Sequence, residues 1–390
     1  MENARRRRSG AEGGVMIRRL VARAALALAV AVTSIGVASP DVVASPAGTT
    51  PGTLVETTGL DPAAWIPGAA SGIRVTYWTL GPLGRPALST GAVFLPPGNP
   101  PPGGWPVVSW AHGTVGLADR CAPTVTGKIG GPYLGHWLAQ GYAIVATDYV
   151  GLGTPGTHPY LDGASEAHSV IDMVRAARVI EPILSPHWVV LGQSQGGQAA
   201  MVTASLATRY APELDYRGGV ATGAPSNLEN LAPLVRPEFP QLPLTGTTVF
   251  VSYILAGLRA TRPDLDIDSY LSDVGRAAVT AAETNCYEDM EPLLRNVSVG
   301  DLVVRPLDEP VLSALRDMLG VPTSGYDRPV FLGQGLTDDV VPAPLTFKLA
   351  ADLAASHQPV TFRTYPTGHL ETMIASLPDT TPFVRGLFGS

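Results

Sequence analysis

The sequence of 390 residues carries little positive charge and almost no lysine. Lys128 and Lys348 are its only lysines, and seven of its 26 basic residues are arginines within the first 23 positions. The formal net charge is -7. Proteins that bind nucleic acids or anionic membrane surfaces usually carry a clustered basic patch. The composition therefore argues against nucleic-acid and anionic-membrane partners.

The sequence also has no apolar run of the roughly 20 residues that a transmembrane helix needs. We therefore expect no stable membrane anchor. The shorter apolar run at residues 24–38 follows several arginines and precedes small residues and prolines. This pattern is typical of a cleaved secretory signal peptide. We expect residues 1–38 to be the signal peptide, with cleavage after Ala44 as the later alternative, and the mature protein to lie in the extracellular space or the cell envelope.

Cysteine is nearly absent as well. Cys121 and Cys286 are the only two, and the seven histidines are scattered along the chain. Two isolated cysteines do not give the ligand spacing of a zinc site, so we expect no bound metal. In an exported protein an even pair of cysteines most often forms a disulfide. We therefore expect a Cys121–Cys286 disulfide, with two unpaired thiols as the alternative.

The most informative motif present is GQSQG at residues 192–196. It follows an apolar run at residues 188–191 and precedes a helix-like segment at residues 197–207. A strand, a sharp turn and a helix in this order expose a serine at the edge of a sheet, beside a helix N-terminus that favours negative charge. The pattern predicts that Ser194 is a nucleophile. Because the chain has 43 glycines, the pentapeptide alone is weak evidence.

Two downstream segments each place a polar residue after a predicted strand. The run at residues 328–333 leads to Asp338, and the run at residues 360–365 leads to His369. Ser, Asp, His is the chain order of an α/β-hydrolase triad. We predict that His369 is the general acid and base and that Asp338 orients it. On the residues alone, Asp339 is a close alternative to Asp338.

An upstream segment can supply part of an oxyanion hole. The strand-like run at residues 106–111 leads into His112-Gly113-Thr114. We predict that the backbone N–H groups of Thr114 and of Gln195, the residue after the nucleophile, stabilise the oxyanion. Each such donor is typically worth about 3–4 kcal/mol of transition-state stabilisation. We expect His112 to organise this turn.

In these segments the chain resembles the secretory lipases of the α/β-hydrolase superfamily. The matching segments are residues 110–114, 148–153 and 158–161, the Ser194 turn, and the Asp338 and His369 segments. The resemblance implies an α/β-hydrolase fold, with a mostly parallel central sheet flanked by helices and an inserted, mainly helical cap. It also implies hydrolysis of carboxylic esters, often of acylglycerols, by a secreted enzyme. It favours Asp338 over Asp339, although some relatives carry more cysteines than this chain.

The order of predicted elements gives the domain organisation. Strands and helices alternate up to residue 227, as in a mostly parallel sheet, with helical spacing over residues 166–184. We expect residues 45–227 and 323–390 to form the two parts of the core and residues 228–322 to form the cap. Insertions at this place form a lid or an acyl pocket. The alternative is a helical subdomain with no role in substrate binding.

One further motif points to a different chemistry. Residues 151–156 match the dinucleotide pattern G-x-G-x-x-G, and Asp172 follows about 20 residues later. Pro155 and Pro159 prevent this loop from opening directly into a helix that could bind a pyrophosphate. We therefore expect no cofactor, and we expect Asp148 and His158 to hold the loop.

The sequence thus predicts a secreted serine carboxylic ester hydrolase, either a lipase or an esterase. We expect a monomer that acts on a lipid or small ester and makes at most transient contact with a lipid interface. An acyltransferase with the same triad is the main alternative. A catalytically silent secreted binding protein and a nicotinamide-dependent oxidoreductase are the alternatives from other classes.

Overall fold

Nine strands form one sheet within residues 48–389, the part of the chain that this computed structural model describes. The predicted signal peptide lies outside the described residues. The strands are β1 (Leu54–Gly59), β2 (Ser71–Leu80), β3 (Pro86–Leu95), β4 (Trp105–Ala111), β5 (Ala143–Val150), β6 (Leu184–Gln193), β7 (Asp215–Thr222), β8 (Val330–Gly335) and β9 (Val360–Tyr365).

The spatial order of the strands is β1-β2-β3-β5-β4-β6-β7-β8-β9. The pairs from β1 to β5 along this order are antiparallel, and all pairs from β5 to β9 are parallel. Parallel strands need both faces covered, which explains why β5 is buried throughout and consists largely of apolar residues. The parallel part also brings the carboxyl ends of β4, β6, β8 and β9 to one edge.

Helices follow the parallel strands and cover the sheet. The α-helices of the described residues are α1 (Pro123–Thr126), α2 (Gly131–Leu138), α3 (Gly163–Ile180), α4 (Gln195–Tyr210), α5 (Thr247–Thr261), α6 (Asp273–Ala282), α7 (Tyr287–Leu294), α8 (Glu309–Leu319), α9 (Ala343–Ala355), α10 (Glu371–Ala375) and α11 (Leu377–Leu387). Neighbouring side chains on β5 alternate between two apolar clusters: Val145 belongs to one and Ile144 to the other. This alternation places one cluster on each face of the sheet.

The predicted helix over residues 166–184 is wrong at both ends. Helix α3 begins earlier, at Gly163, after Asp162, whose side chain accepts a hydrogen bond from the Ser165 N–H. It ends at Ile180, and Leu184 is already the first residue of β6. Pro182 disfavours a helical conformation at the residue before it, so the helix stops there although the apolar spacing continues.

Helices replace the strand-helix alternation between β7 and β8. This segment contains α5 to α8 and builds most of a third apolar cluster, which includes Tyr253, Val279 and Met290. No helix of the described residues is both long and apolar enough to cross a bilayer.

A disulfide joins this helical segment to the sheet domain. Cys121 and Cys286 are bonded, as predicted. The backbone reinforces the link, because the Tyr287 N–H donates to the carbonyl oxygen of Val115 at 3.0 Å. The chain after β4 and the start of α7 are therefore held side by side.

Candidate active site

Ser194 occupies a tight turn between β6 and α4. Its backbone has φ 57° and ψ −125°, a conformation that costs energy for a residue with a side chain. The surrounding backbone holds it there: the Ser194 N–H donates to Thr222 at 2.9 Å, and the Ser194 carbonyl accepts from Gly197 at 2.7 Å. The turn presents the hydroxyl at the carboxyl edge of the sheet, beside the N-terminus of α4.

The two glycines of the GQSQG motif allow this close approach. A Cβ on Gly192 would overlap the carbonyl oxygen of Gly196, and a Cβ on Gly196 would overlap the carbonyl oxygen of Ala111. Any side chain at either position would push the start of α4 away from β4 and β6. Glycine is therefore required here for space, although neither residue has a positive φ.

The structure brings Ser194, His369 and Asp338 together from three separate connections. His369 follows β9 and Asp338 follows β8. The Ser194 Oγ lies 2.8 Å from His369 Nε2, and His369 Nδ1 lies 2.7 Å from Asp338 Oδ2. All three residues are buried. With Nδ1 donating to the carboxylate, Nε2 is free to accept the proton of the hydroxyl.

The two predicted oxyanion donors lie beside this turn. Gly113 packs against the serine, since a Cβ built on Gly113 would lie 3.4 Å from the Ser194 Cβ. Among residues 48–389, no acceptor receives the backbone N–H of Thr114 or of Gln195. Unpaired backbone N–H groups are the kind of donor that an oxyanion requires.

An apolar cavity opens at Ser194. Its empty space is about 1170 Å³ when the solvent-open mouth is included. Most of its walls come from the helical segment between β7 and β8, with Leu231, Val251 and Leu315 among the contributors. None of the described side chains that line it is charged. Such a cavity suits an apolar ligand group next to the serine.

The secretory lipase family model matches residues 121–388, well over half of the chain. The chain belongs to the secretory lipase family. A secreted triacylglycerol lipase of Malassezia furfur is 25% identical over 272 residues, covering 65% of this chain and 53% of that protein. A probable inactive lipase of Mycobacterium tuberculosis is 24% identical over 277 residues, covering 66% of this chain and 60% of that protein. The chain thus spans between half and two thirds of these curated relatives.

Solved structures agree on the architecture. The structure of Candida antarctica lipase A in its closed state matches with a TM-score of 0.74 at 20% identity, over 88% of this chain and 84% of that one. At this identity the likeness shows the fold alone. The predicted α/β-hydrolase fold, with its mostly parallel sheet, is confirmed.

In this member of the secretory lipase family, the loop after β8 distinguishes the two adjacent aspartates. Oδ1 of Asp338 accepts the N–H groups of Val340 and Val341 at 2.9 and 2.8 Å. The buried Gln334 side chain donates to Asp338 Oδ2 at 3.2 Å. Asp339 instead accepts a hydrogen bond from the Thr245 hydroxyl at 2.7 Å. The sequence analysis did not predict a role for Gln334. A polar amide within the otherwise apolar β8 run could have indicated one.

The segment from Asp148 to His158 holds the loops beside the site. Asp148 accepts the Thr124 N–H at 3.0 Å and the Thr90 hydroxyl at 2.7 Å. The His112 ring lies 2.7 Å from the Gly113 carbonyl oxygen, and burial lowers the pKa of His112. The glycine-rich loop at residues 151–156 does not lead directly into a helix, because α3 begins only at Gly163.

Proposed function

We propose that the protein is a secreted serine hydrolase that cleaves carboxylic esters, with acylglycerols as its substrate class, through an acyl-enzyme on Ser194. The observation that carries this proposal is the hydrogen-bonded series from Ser194 through His369 to Asp338. Membership of the secretory lipase family supports it. A fold alone would not, because the same fold hosts many activities.

The contacts suggest a role for each group. His369 Nε2 takes the hydroxyl proton as the Ser194 Oγ attacks the ester carbonyl, and Asp338 stabilises the imidazolium that forms. The N–H groups of Thr114 and Gln195 stabilise the oxyanion of the tetrahedral intermediate. The C–O bond to the alcohol then breaks, and the imidazolium protonates the departing oxygen. Water, activated by His369, hydrolyses the acyl-enzyme and regenerates the serine.

The cavity supports an acyl chain as the group bound next to the serine. Its walls carry no charged side chain, so they favour hydrocarbon over a polar alcohol or sugar. We propose that residues 228–322 act as the cap that completes this acyl site. Leu231 and Leu234 both line the cavity and are each 41% exposed, which supports transient contact with a lipid interface.

Several features support the wider setting of this activity. The disulfide and the name of the Malassezia furfur relative both support export. The triad and both proposed oxyanion donors belong to one chain, so the proposed reaction needs no group from a partner subunit.

The direct test compares Ser194→Ala with the wild type in hydrolysis of p-nitrophenyl esters of increasing acyl length. Ser205→Ala, in the same helix, is the matched control because its hydroxyl donates to the carbonyl oxygen of Val202 within α4. We expect kcat to fall roughly a million-fold for Ser194→Ala and to change little for Ser205→Ala. Equal hydrolysis by the wild type and Ser194→Ala would overturn the proposal, as would a wild type inactive on every ester.

A further inference from the structure

The side chain of Gln195 turns into the protein. Its Nε2 lies 2.7 Å from Nε2 of His158 and 2.7 Å from Oε1 of Glu166. His158 belongs to the loop after β5, Glu166 to α3, and Gln195 is the first residue of α4. All three side chains are buried. One amide thus connects three elements beside the nucleophile.

The hydrogen atoms of this cluster can be assigned from its geometry. The Nδ1 of His158 lies 2.8 Å from the carbonyl oxygen of Val150 and therefore donates to it. In a neutral ring the other nitrogen then accepts, so Nε2 receives one proton of the Gln195 amide. Burial lowers the pKa of His158 to about 3, which keeps the ring neutral.

Glu166 accepts the second amide proton. Its Oε1 also accepts the backbone N–H of Leu161 at 3.0 Å, so one oxygen receives two donors. Oε2 has no hydrogen-bond partner among the described residues. Burial raises the pKa of Glu166 well above its usual value, which favours the protonated, uncharged form of this side chain. The carbonyl oxygen of a neutral carboxyl group is a sufficient acceptor.

Backbone bonds hold only the carbonyl side of the peptide between Ser194 and Gln195, where the Ser194 oxygen accepts the N–H groups of Gly197 at 2.7 Å and Gln198 at 3.1 Å. The N–H groups of the first turn of a helix have no partner within the helix. The Gln195 N–H is one of these, and it follows a serine whose backbone conformation is strained. No acceptor among the described residues receives this N–H, so on the Gln195 side of the peptide the contacts come from the Gln195 side chain.

The loop that carries His158 also contacts the other donor residue. Tyr160, two residues later, lies 2.6 Å from the Thr114 hydroxyl through its own hydroxyl. Residues 158–161 thus contact Thr114 on one side and Gln195 on the other. None of these loop residues forms a hydrogen bond with Ser194, Asp338 or His369 within residues 48–389.

We propose that His158 and Glu166 are positioning residues that aim the backbone N–H of Gln195 at the oxyanion by holding the Gln195 side chain. This inference rests on the proposed function. The two acceptors act through Gln195 and do not touch the substrate.

The first test replaces Gln195 with methionine, which has a similar length, cannot form these hydrogen bonds and keeps the backbone N–H. Gln198→Met is the matched control, because Gln198 is buried in the same helix and donates to the carbonyl oxygens of Leu319 at 2.9 Å and of Leu161 at 3.4 Å, so it loses a contact with the same loop while Gln195 keeps its own. For Gln195→Met we expect kcat to fall about ten- to a hundredfold, which is less than the loss of a whole oxyanion donor. We expect KM to change less than about twofold.

An inhibitor separates this role from general damage to the fold. A trifluoromethyl ketone adds to the serine and forms a tetrahedral oxyanion, so its affinity depends on the hole. We expect its affinity to fall by the same factor as kcat/KM in Gln195→Met, and to be unchanged in Gln198→Met. Melting temperatures of both variants check that each is folded at the assay temperature.

A pair of changes at Glu166 gives the second, independent test. Glu166→Gln keeps a carbonyl oxygen at the Oε1 position, so we expect near wild-type kcat and inhibitor affinity. Glu166→Met removes the acceptor, and we expect it to resemble Gln195→Met. If Gln195→Met does not fold, this pair decides the question.

Two outcomes would overturn the inference while leaving the proposed function intact. One is wild-type kcat in both Gln195→Met and Glu166→Met, with Ser194→Ala still inactive. The other is an equal loss in Glu166→Gln and Glu166→Met. A wild type that hydrolyses no ester, or a Ser194→Ala variant with full activity, would instead refute the proposed function and this inference with it.

Discussion

Oδ2 of Asp338 lies 2.7 Å from Nδ1 of His369, whereas Oδ2 of the adjacent Asp339 lies 2.7 Å from the hydroxyl of Thr245. Two neighbouring carboxylates therefore point to different partners. Asp338 contacts the histidine. Asp339 connects the loop after β8 to the segment before α5.

Asparagine at these two positions should have very different effects on kcat. In Asp338→Asn the amide no longer stabilises the imidazolium and favours the wrong tautomer of His369, so we expect kcat to fall about ten-thousandfold. Asp339→Asn retains an acceptor for Thr245, and kcat should change only a few-fold. Hydrolysis of a p-nitrophenyl ester near neutral pH measures both. Equal losses would contradict the assignment of Asp338.

A larger side chain in the cavity should shorten the preferred acyl chain. Val251 lines the cavity, so Val251→Phe takes up space that a long chain needs. We expect kcat/KM for long-chain esters to fall about tenfold or more, in line with about 1–3 kcal/mol for small changes in an apolar pocket. Acetate esters should be little affected. Val274→Phe is the control, since Val274 is 45% exposed and does not line the cavity. Parallel losses on short and long esters would argue against an acyl site.

Removal of the disulfide should destabilise the protein. Cys121 and Cys286 are 165 residues apart in the sequence, and a cross-link over a long loop restricts the unfolded chain strongly. We expect the double change Cys121→Ala/Cys286→Ala to lower the free energy of unfolding by about 2–5 kcal/mol in urea titrations.

The nearby ion pair provides a comparison for the disulfide. Arg120 and Asp289 join the same two segments at 2.8 Å, but both are exposed. Arg120→Ala should therefore cost at most about 1 kcal/mol. If the double cysteine change were no more costly than Arg120→Ala, the disulfide would not be a principal link between the two segments.

Glu166→Gln should alter how stability depends on pH. Because burial raises the pKa of Glu166, the native state keeps a proton that the unfolded chain releases above a pKa of about 4.5. Below the pKa of the unfolded chain, this proton makes its full contribution to the free energy of unfolding. As the pH rises from there towards the raised pKa of the native state, the contribution falls by up to about 1.4 kcal/mol per pH unit. Glutamine cannot ionise and avoids this decline.

The measurement is urea unfolding of both proteins at several pH values from 4 to 8. The advantage of Glu166→Gln over the wild type should increase as the pH rises, and all other titrating groups cancel in the comparison. A difference that stays constant with pH would mean that Glu166 is ionised in the native protein.

The sequence by itself determined the turns and strands that depend only on residues close to them in the chain. The Ser194 turn was predictable because glycines flank the serine and a strand and a helix surround it. The strand at residues 360–365 appeared with the predicted bounds, because its composition and its flanking turn residues are local signals. Strand β1 was not predicted. Five of its six residues are exposed, so its sequence lacks the alternating apolar pattern of a half-buried strand, and the strand is held by its pairing with β2.

Only the tertiary structure decided which groups meet across long separations. The choice between Asp338 and Asp339 depends on how the loop after β8 turns, and both residues have the same chemistry in the sequence. The inward turn of Gln195 depends on His158 and Glu166, which come from a different loop and helix. The apolar cavity arises because the helical segment between β7 and β8 folds back over the serine. Such contacts are set by packing between distant segments, which local propensity and periodicity do not encode.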